Sequence, residues 1–112
     1  MKVTMPKELR FFRTNNGKEP FSEWLSSLKD TLARAQIKNR LNRLMQGHYG
    51  DYKSVGNGLY ELRIHHGAGY RIYFAEHGKT VLLLLIGGSK RTQERDIIKA
   101  MKYWQEFQEK LL

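Results

Sequence analysis

Gly58-Leu-Tyr-Glu-Leu-Arg63, then Gly69-Tyr-Arg-Ile-Tyr-Phe74, then Val81-Leu-Leu-Leu-Leu-Ile86 running into Gly87-Gly-Ser-Lys-Arg-Thr-Gln93, decide how this 112-residue chain folds. In the first two segments the side chains alternate with a period of two. Tyr60, Leu62 and Ile64 therefore share one face, and Leu59, Glu61, Arg63 and His65 the other. In the next segment Tyr70, Ile72 and Phe74 form one row and Arg71, Tyr73 and Ala75 the opposite one. The pattern predicts a hairpin. With its apolar rows against helices, Glu61, Arg63, Arg71 and Tyr73 are left on an outer, concave face. Thr80 to Ile86 is almost unbroken apolar sequence, as expected of a central strand covered on both sides. The Gly87–Lys90 stretch reads as a basic turn into a last helix, with Thr92 as its cap and Ile97, Ile98, Met101 and Trp104 along one side.

Working outward, Glu8 to Thr14 suits a first strand, and Asn15-Asn-Gly-Lys18 a turn. Pro20 sits where a helix starts without cost, because the first turn has no use for its missing N–H. Phe21, Trp24, Leu25 and Leu28 follow at helical spacing to about Lys29. Asp30 and Thr31 offer an N-cap for a second helix. Its buried stripe is Ile37, Leu41, Leu44 and Met45, and Gly47 closes it at C′. The expected order is β-α-α-β-β-β-α. This is an α+β fold in one domain, residues 1–112, with helices on one face of an antiparallel sheet.

Lys and Arg number 20 against 11 acidic residues, giving a formal net charge of +9 and a pI near 9.9. On a domain this small such a charge draws polyanions and speeds encounter with them, so nucleic acid is the first partner to consider. With no cysteine, a disulfide framework, a Cys-ligated zinc and thiol catalysis are excluded. Met1 to Pro6 lacks the apolar segment of a signal peptide, and Val81 to Ile86 is far short of a membrane span. The expected location is the cytoplasm, with no membrane partner.

Four cations carry the sharpest chemical signal: Arg63 and Arg71 on neighbouring strands, and Lys90 and Arg91 beyond the third. The planar guanidinium fork binds phosphate oxygens in pairs, and one ion pair with Glu61 on a solvated sheet would account for only one of the four. His65 and His66 fall in the hairpin connection, where an imidazole of near-neutral pKa can accept or donate a proton. The alternative for both is a solvated loop histidine. Tyr73, Tyr49 and Tyr52 are candidates for stacking on bases. Gly87-Gly-Ser-Lys90 has the look of an anion-binding nest but lacks the Walker spacing of an NTPase.

Tyr60-Glu-Leu-Arg63, Gly69-Tyr-Arg-Ile-Tyr-Phe74 and Gly87-Gly-Ser-Lys-Arg-Thr-Gln-Glu-Arg-Asp-Ile97, in that order, resemble the RelE/ParE toxin superfamily. The likeness is greatest to its phage-related, HigB-like addiction module killer protein branch, and it covers about residues 8 to 108. It implies a RelE-like fold and a type II toxin neutralised by a cognate antitoxin protein in a hetero-oligomer. It further implies a ribosome-dependent endoribonuclease that cleaves mRNA without metal or cofactor, the ribose 2′-oxygen attacking its own phosphate. Arg71 matches the family arginine of the Gly-Tyr-Arg strand, Lys90 and Arg91 the Lys-Arg pair after the last strand, and Arg63 the arginine of the preceding strand. Glu61 stands where RelE carries a lysine, and Ile97 at or beside the place of its C-terminal tyrosine. The acid and base roles therefore fall to His65, His66 or Glu61, with Arg63, Arg71, Tyr73, Lys90 and Arg91 holding RNA. ParE-like relatives share the fold but inhibit DNA gyrase without cleaving anything, which is the competing expectation.

Overall fold

The computed structural model describes residues 6–112. The element order is β1 (Glu8–Phe11), α1 (Pro20–Ser27), α2 (Thr31–Met45), β2 (Tyr52–Gly56), β3 (Leu59–Ile64), β4 (Tyr70–His77), β5 (Val81–Ser89), a 3₁₀ turn (Lys90–Thr92) and α3 (Gln93–Lys110). The five strands lie in the order β1-β5-β4-β3-β2. After β1 the chain crosses one face of the sheet as the α1–α2 pair, reaches the far edge, and meanders back. It arrives with β5 parallel to β1 and antiparallel to β4.

Three expectations need correction. The sheet is mixed rather than antiparallel, because the helical crossover delivers β5 in the direction of β1. It also holds one strand more than expected, so the order is β-α-α-β-β-β-β-α. β2 is an edge strand of exposed residues with only Val55 partly buried, and it lacks the apolar alternation that marks the others. Its hairpin with β3 turns on Asn57-Gly58, both at positive φ (56° and 80°), a pairing that favours tight two-residue turns.

Both faces of the sheet are covered, where helices on a single face were expected. Against α1 and α2 pack Leu62, Ile64, Ile72, Phe74, Leu82 and Leu84, with Phe21, Ile37, Leu41 and Leu44 from the helices. Against α3 pack Leu59, Tyr73, Ala75, Leu83 and Leu85, with Ala100 and Trp104 from the helix. The row expected to be an open concave face is therefore largely the floor under α3. Ile98, placed in the helix stripe by spacing, is 69% exposed. Ile97, Met101 and Phe107 flank Ala100 and Trp104 on the packed side instead.

The helix ends follow their sequence signals in part. Asp30 caps α2 by accepting from the Leu32 and Ala33 N–H groups. At the other end Gly47, at φ 87°, lets its N–H reach the Leu44 carbonyl and the His48 N–H the Arg43 carbonyl. Thr92 takes the N-cap position of α3, but its hydroxyl makes no capping bond to the backbone. It donates instead to the Asp96 carboxylate, 2.5 Å away.

Candidate nucleic-acid site at one end of the sheet

Strand register brings the expected cations together. Arg63 stands directly opposite Arg71 on β3 and β4, and Arg71 opposite Gly88 on β5. Lys90 follows at once, its N–H donating to the Gly69 carbonyl at 3.2 Å. The β3–β4 connection with His65 and His66, the end of β5 and the start of α3 thus meet at one end of the sheet. Lys90 and Arg91 are exposed and, among the described residues, make no ion pair.

What keeps two guanidinium groups side by side is Glu61, one step further into the sheet. Its carboxylate accepts from Gln93 Nε2 at 2.8 Å, Arg63 Nε at 3.0 Å, Tyr73 Oη at 3.1 Å and an Arg71 terminal nitrogen at 3.3 Å. Glu61 and Tyr73 are both 0% exposed. Burial alone would raise the Glu61 pKa, but the bonds from Gln93, Arg63 and Tyr73 and the Arg71 charge hold it below its ordinary value. Burial and the adjacent carboxylate push the Tyr73 phenol far up, so it stays protonated and donates.

Two sequence expectations change here. Glu61 is buried where an outer, exposed position was expected, and both of its oxygens accept hydrogen bonds. It is the counter-ion that offsets the repulsion between Arg63 and Arg71. Tyr73 has no exposed ring with which to stack on a base. Tyr49 is also tied down, its hydroxyl on Glu76 and its ring 4.9 Å from that of Tyr52.

Arg71 is the side chain under most constraint. It is only 12% exposed, and its Nε is a buried donor with no partner among the described residues. A native structure seldom leaves a charged donor in that condition unless a ligand or water completes it. Arg63 is more open, at 30%.

The histidines are separately oriented. His65 Nε2 lies 2.5 Å from an Asp51 carboxylate oxygen, and His66 Nε2 lies 3.2 Å from the free oxygen of the Asp30 cap. Each imidazole keeps its other nitrogen for chemistry, and His65, 74% exposed, is the more accessible. The hydrogen of His65 or His66 is carried by whichever nitrogen its partner requires.

Several contributors were not legible as site residues. Arg40 on α2 donates to the carbonyls of Arg63 and Tyr49, at 2.7 and 3.0 Å, and so fixes the hairpin end from behind. Burial lowers its pKa, as does nearby Arg43. Lys53 stands opposite Glu61 on β2 and adds an exposed cation to the same face. Gln93 was visible in the Thr-Gln motif, but only the fold aims it at Glu61.

Gly87-Gly88 is not a nest; it is the last part of β5, bare so that two groups can close on it. A Cβ on Gly87 would collide with the Trp24 ring, and one on Gly88 with an Asp96 carboxylate oxygen. Beside this bare segment are two adjoining cavities. One, of about 410 Å³, is lined by Lys90 to Arg95. The other, of about 240 Å³, is walled by Trp24, Leu28 and Tyr70 on one side and Thr92, Arg95 and Asp96 on the other.

No described helix is long and apolar enough to cross a membrane. A family model described as "Phage derived protein Gp49-like (DUF891)" matches residues 23–105, a span running from within α1 through most of α3 and containing every cation of the site. A protein of Haemophilus influenzae (strain Rd), described only as an uncharacterized protein, is 46% identical over 86 residues, which are 77% of this chain and 87% of that protein. The chain belongs to the phage-derived Gp49-like family, a toxin-like family of the HigB/RelE type.

Proposed function

We propose that this protein is the toxin of a type II toxin–antitoxin module and acts as a metal-independent endoribonuclease on ribosome-bound mRNA. The observation that carries the reading is Arg71, a nearly buried guanidinium whose Nε has no partner among the described residues, held beside Arg63 by a common carboxylate. Preorganised charge of this kind favours a pentavalent phosphorane, whose negative charge exceeds that of the phosphodiester from which it forms. Lys90 and Arg91 hold the flanking phosphates. His65, oriented by Asp51, takes the 2′-hydroxyl proton or protonates the leaving 5′-oxygen, and His66 with Asp30 is the second candidate for either transfer. Glu61 serves by positioning the two arginines. The partners on this reading are the ribosome with its mRNA and an antitoxin in a hetero-oligomer in the cytoplasm.

A second reading, a RelE-fold gyrase inhibitor of ParE type, is favoured by the burial of Glu61 and Tyr73, which withdraws two groups from proton transfer. Expression of the chain alone in a bacterium separates the two. Cuts within translated codons, found by mapping transcript 5′ ends, support the nuclease; intact transcripts with an SOS response sink it and favour the inhibitor.

A further inference from the structure

The 240 Å³ notch beside Gly87-Gly88 lies next to the cationic site without being used by it. It is smaller than the roughly 300–1,000 Å³ typical of drug-sized ligands. Its composition is mixed in a particular way. Trp24 and Tyr70, with ring centroids 6.2 Å apart and planes at 62°, supply aromatic wall. Ser89 and Thr92 supply hydroxyls, and Asp96 is only 4% exposed. Arg95 supplies an exposed guanidinium that, among the described residues, makes no ion pair. The notch lies where Trp24 and Asp96 close on the two bare residues Gly87 and Gly88, and Gly88 stands directly opposite Arg71.

The neighbouring 410 Å³ cavity shares Thr92 and Arg95 with it and adds Lys90, Arg91, Gln93 and one carboxylate, Glu94. Side by side, then, lie a compartment with three cations against one carboxylate, which suits a phosphate, and an aromatic one that suits a flat heterocycle. That is the shape of a single nucleotide. The geometry points to the Trp24/Tyr70/Arg95 notch as a nucleobase-binding subsite that sets which base is accepted next to the cleaved phosphate. The proposal rests on the reading of the chain as a nuclease and names where its sequence preference arises. An arginine fork matches the O6 and N7 acceptors of guanine best, so guanine is the favoured base. The fork is worth about 10- to 100-fold in discrimination, and the aromatic contact, open to any base, adds affinity.

Two measurements test it. In a cell-free translation reaction, cut sites of the wild-type chain should favour guanine at one fixed position relative to the cut by tenfold or more. Among the cuts that Arg95→Ala still makes, that preference should fall by tenfold or more. Cleavage indifferent to base, or a preference untouched by Arg95→Ala, overturns the notch while leaving the nuclease reading intact. The second measurement needs no cleavage: the two tryptophan indole N–H resonances are followed by NMR, with Trp24→Phe identifying its own. Guanosine 3′-monophosphate should shift the Trp24 signal, ribose 5-phosphate should not, and the Trp104 signal should stay, its N–H being held by the Asn57 carbonyl at 2.8 Å. A Trp24 shift in a chain that leaves transcripts intact keeps the base site and removes the nuclease. No shift with any of the four nucleoside 3′-monophosphates overturns the site. So does a shift produced only by the antitoxin protein, which would make the notch a protein contact.

Discussion

Replacing Glu61 by Gln removes one negative charge from the centre of the cationic cluster with almost no change of shape. Breaking a buried ion pair from one side costs about 3–5 kcal/mol, because the remaining charge is left without compensation. Here the arginines retain some contact with water, at 30% and 12% exposure, and glutamine keeps one acceptor for four donors. Both effects reduce the loss, to about 2–3 kcal/mol. For a domain of this size that lowers the melting temperature by about 10–20 °C. Urea unfolding of wild type and variant measures it directly. The pH dependence adds a second readout. The Glu61 carboxyl is held below its ordinary value in the folded chain. Its stabilisation is therefore complete above the unfolded-state value, about 4.3, and is lost as pH falls through the lower folded value. The wild type should shed this component below about pH 4, and Glu61→Gln should lack it. A variant within about 0.5 kcal/mol of wild type that nonetheless stops cleaving would refute the positioning role and return Glu61 to the list of bases.

Arg71→Ala should abolish toxicity, with a loss of about 100-fold or more in cleavage rate, while circular dichroism shows a retained fold. Arg71→Lys should also be poor, since one ammonium cannot both bond Glu61 and present a fork to phosphate. For His65→Gln and His66→Gln, cleavage by whichever removes the acid or base should fall about 100- to 10,000-fold with ribosome binding unchanged; full activity in both places proton transfer elsewhere. Gly88→Ala should destabilise by about 1–3 kcal/mol or more in thermal melts, because its Cβ would collide with the Asp96 carboxylate over which α3 is seated. Binding to the antitoxin should weaken with salt less steeply than binding to RNA, since apolar burial supports the one and counterion release dominates the other. Equal slopes in parallel titrations would mean that the antitoxin acts only as a polyanion.

Much of this site could be read from residue order. Arg63 and Arg71 fall on the same side of adjacent strands whenever Leu62 and Ile72 are buried, because a strand alternates its faces with a period of two. The same rule puts Glu61 and Tyr73 in the next row. The α2 cap at Asp30 and its stop at Gly47 were equally legible, since each depends on a single residue's local bonding or its tolerance of positive φ.

What alternation cannot say is which face is wet. Only tertiary structure laid α3 across the Glu61 row, burying Glu61 as the counter-ion of two arginines and Tyr73 as a hydrogen-bond donor to it. Parallel pairing of β1 with β5 joins segments some seventy residues apart, and no local periodicity records the direction in which a crossover returns. β2 escaped notice because an exposed edge strand needs no apolar rhythm, although Asn57-Gly58 marked its turn. The Gly87-Gly88 pair is the clearest case. In sequence it resembles a flexible loop before a helix, but in the fold it is rigid strand. Its missing side chains make room for Trp24 on one face and Asp96 on the other, and that space is defined only by what packs against it.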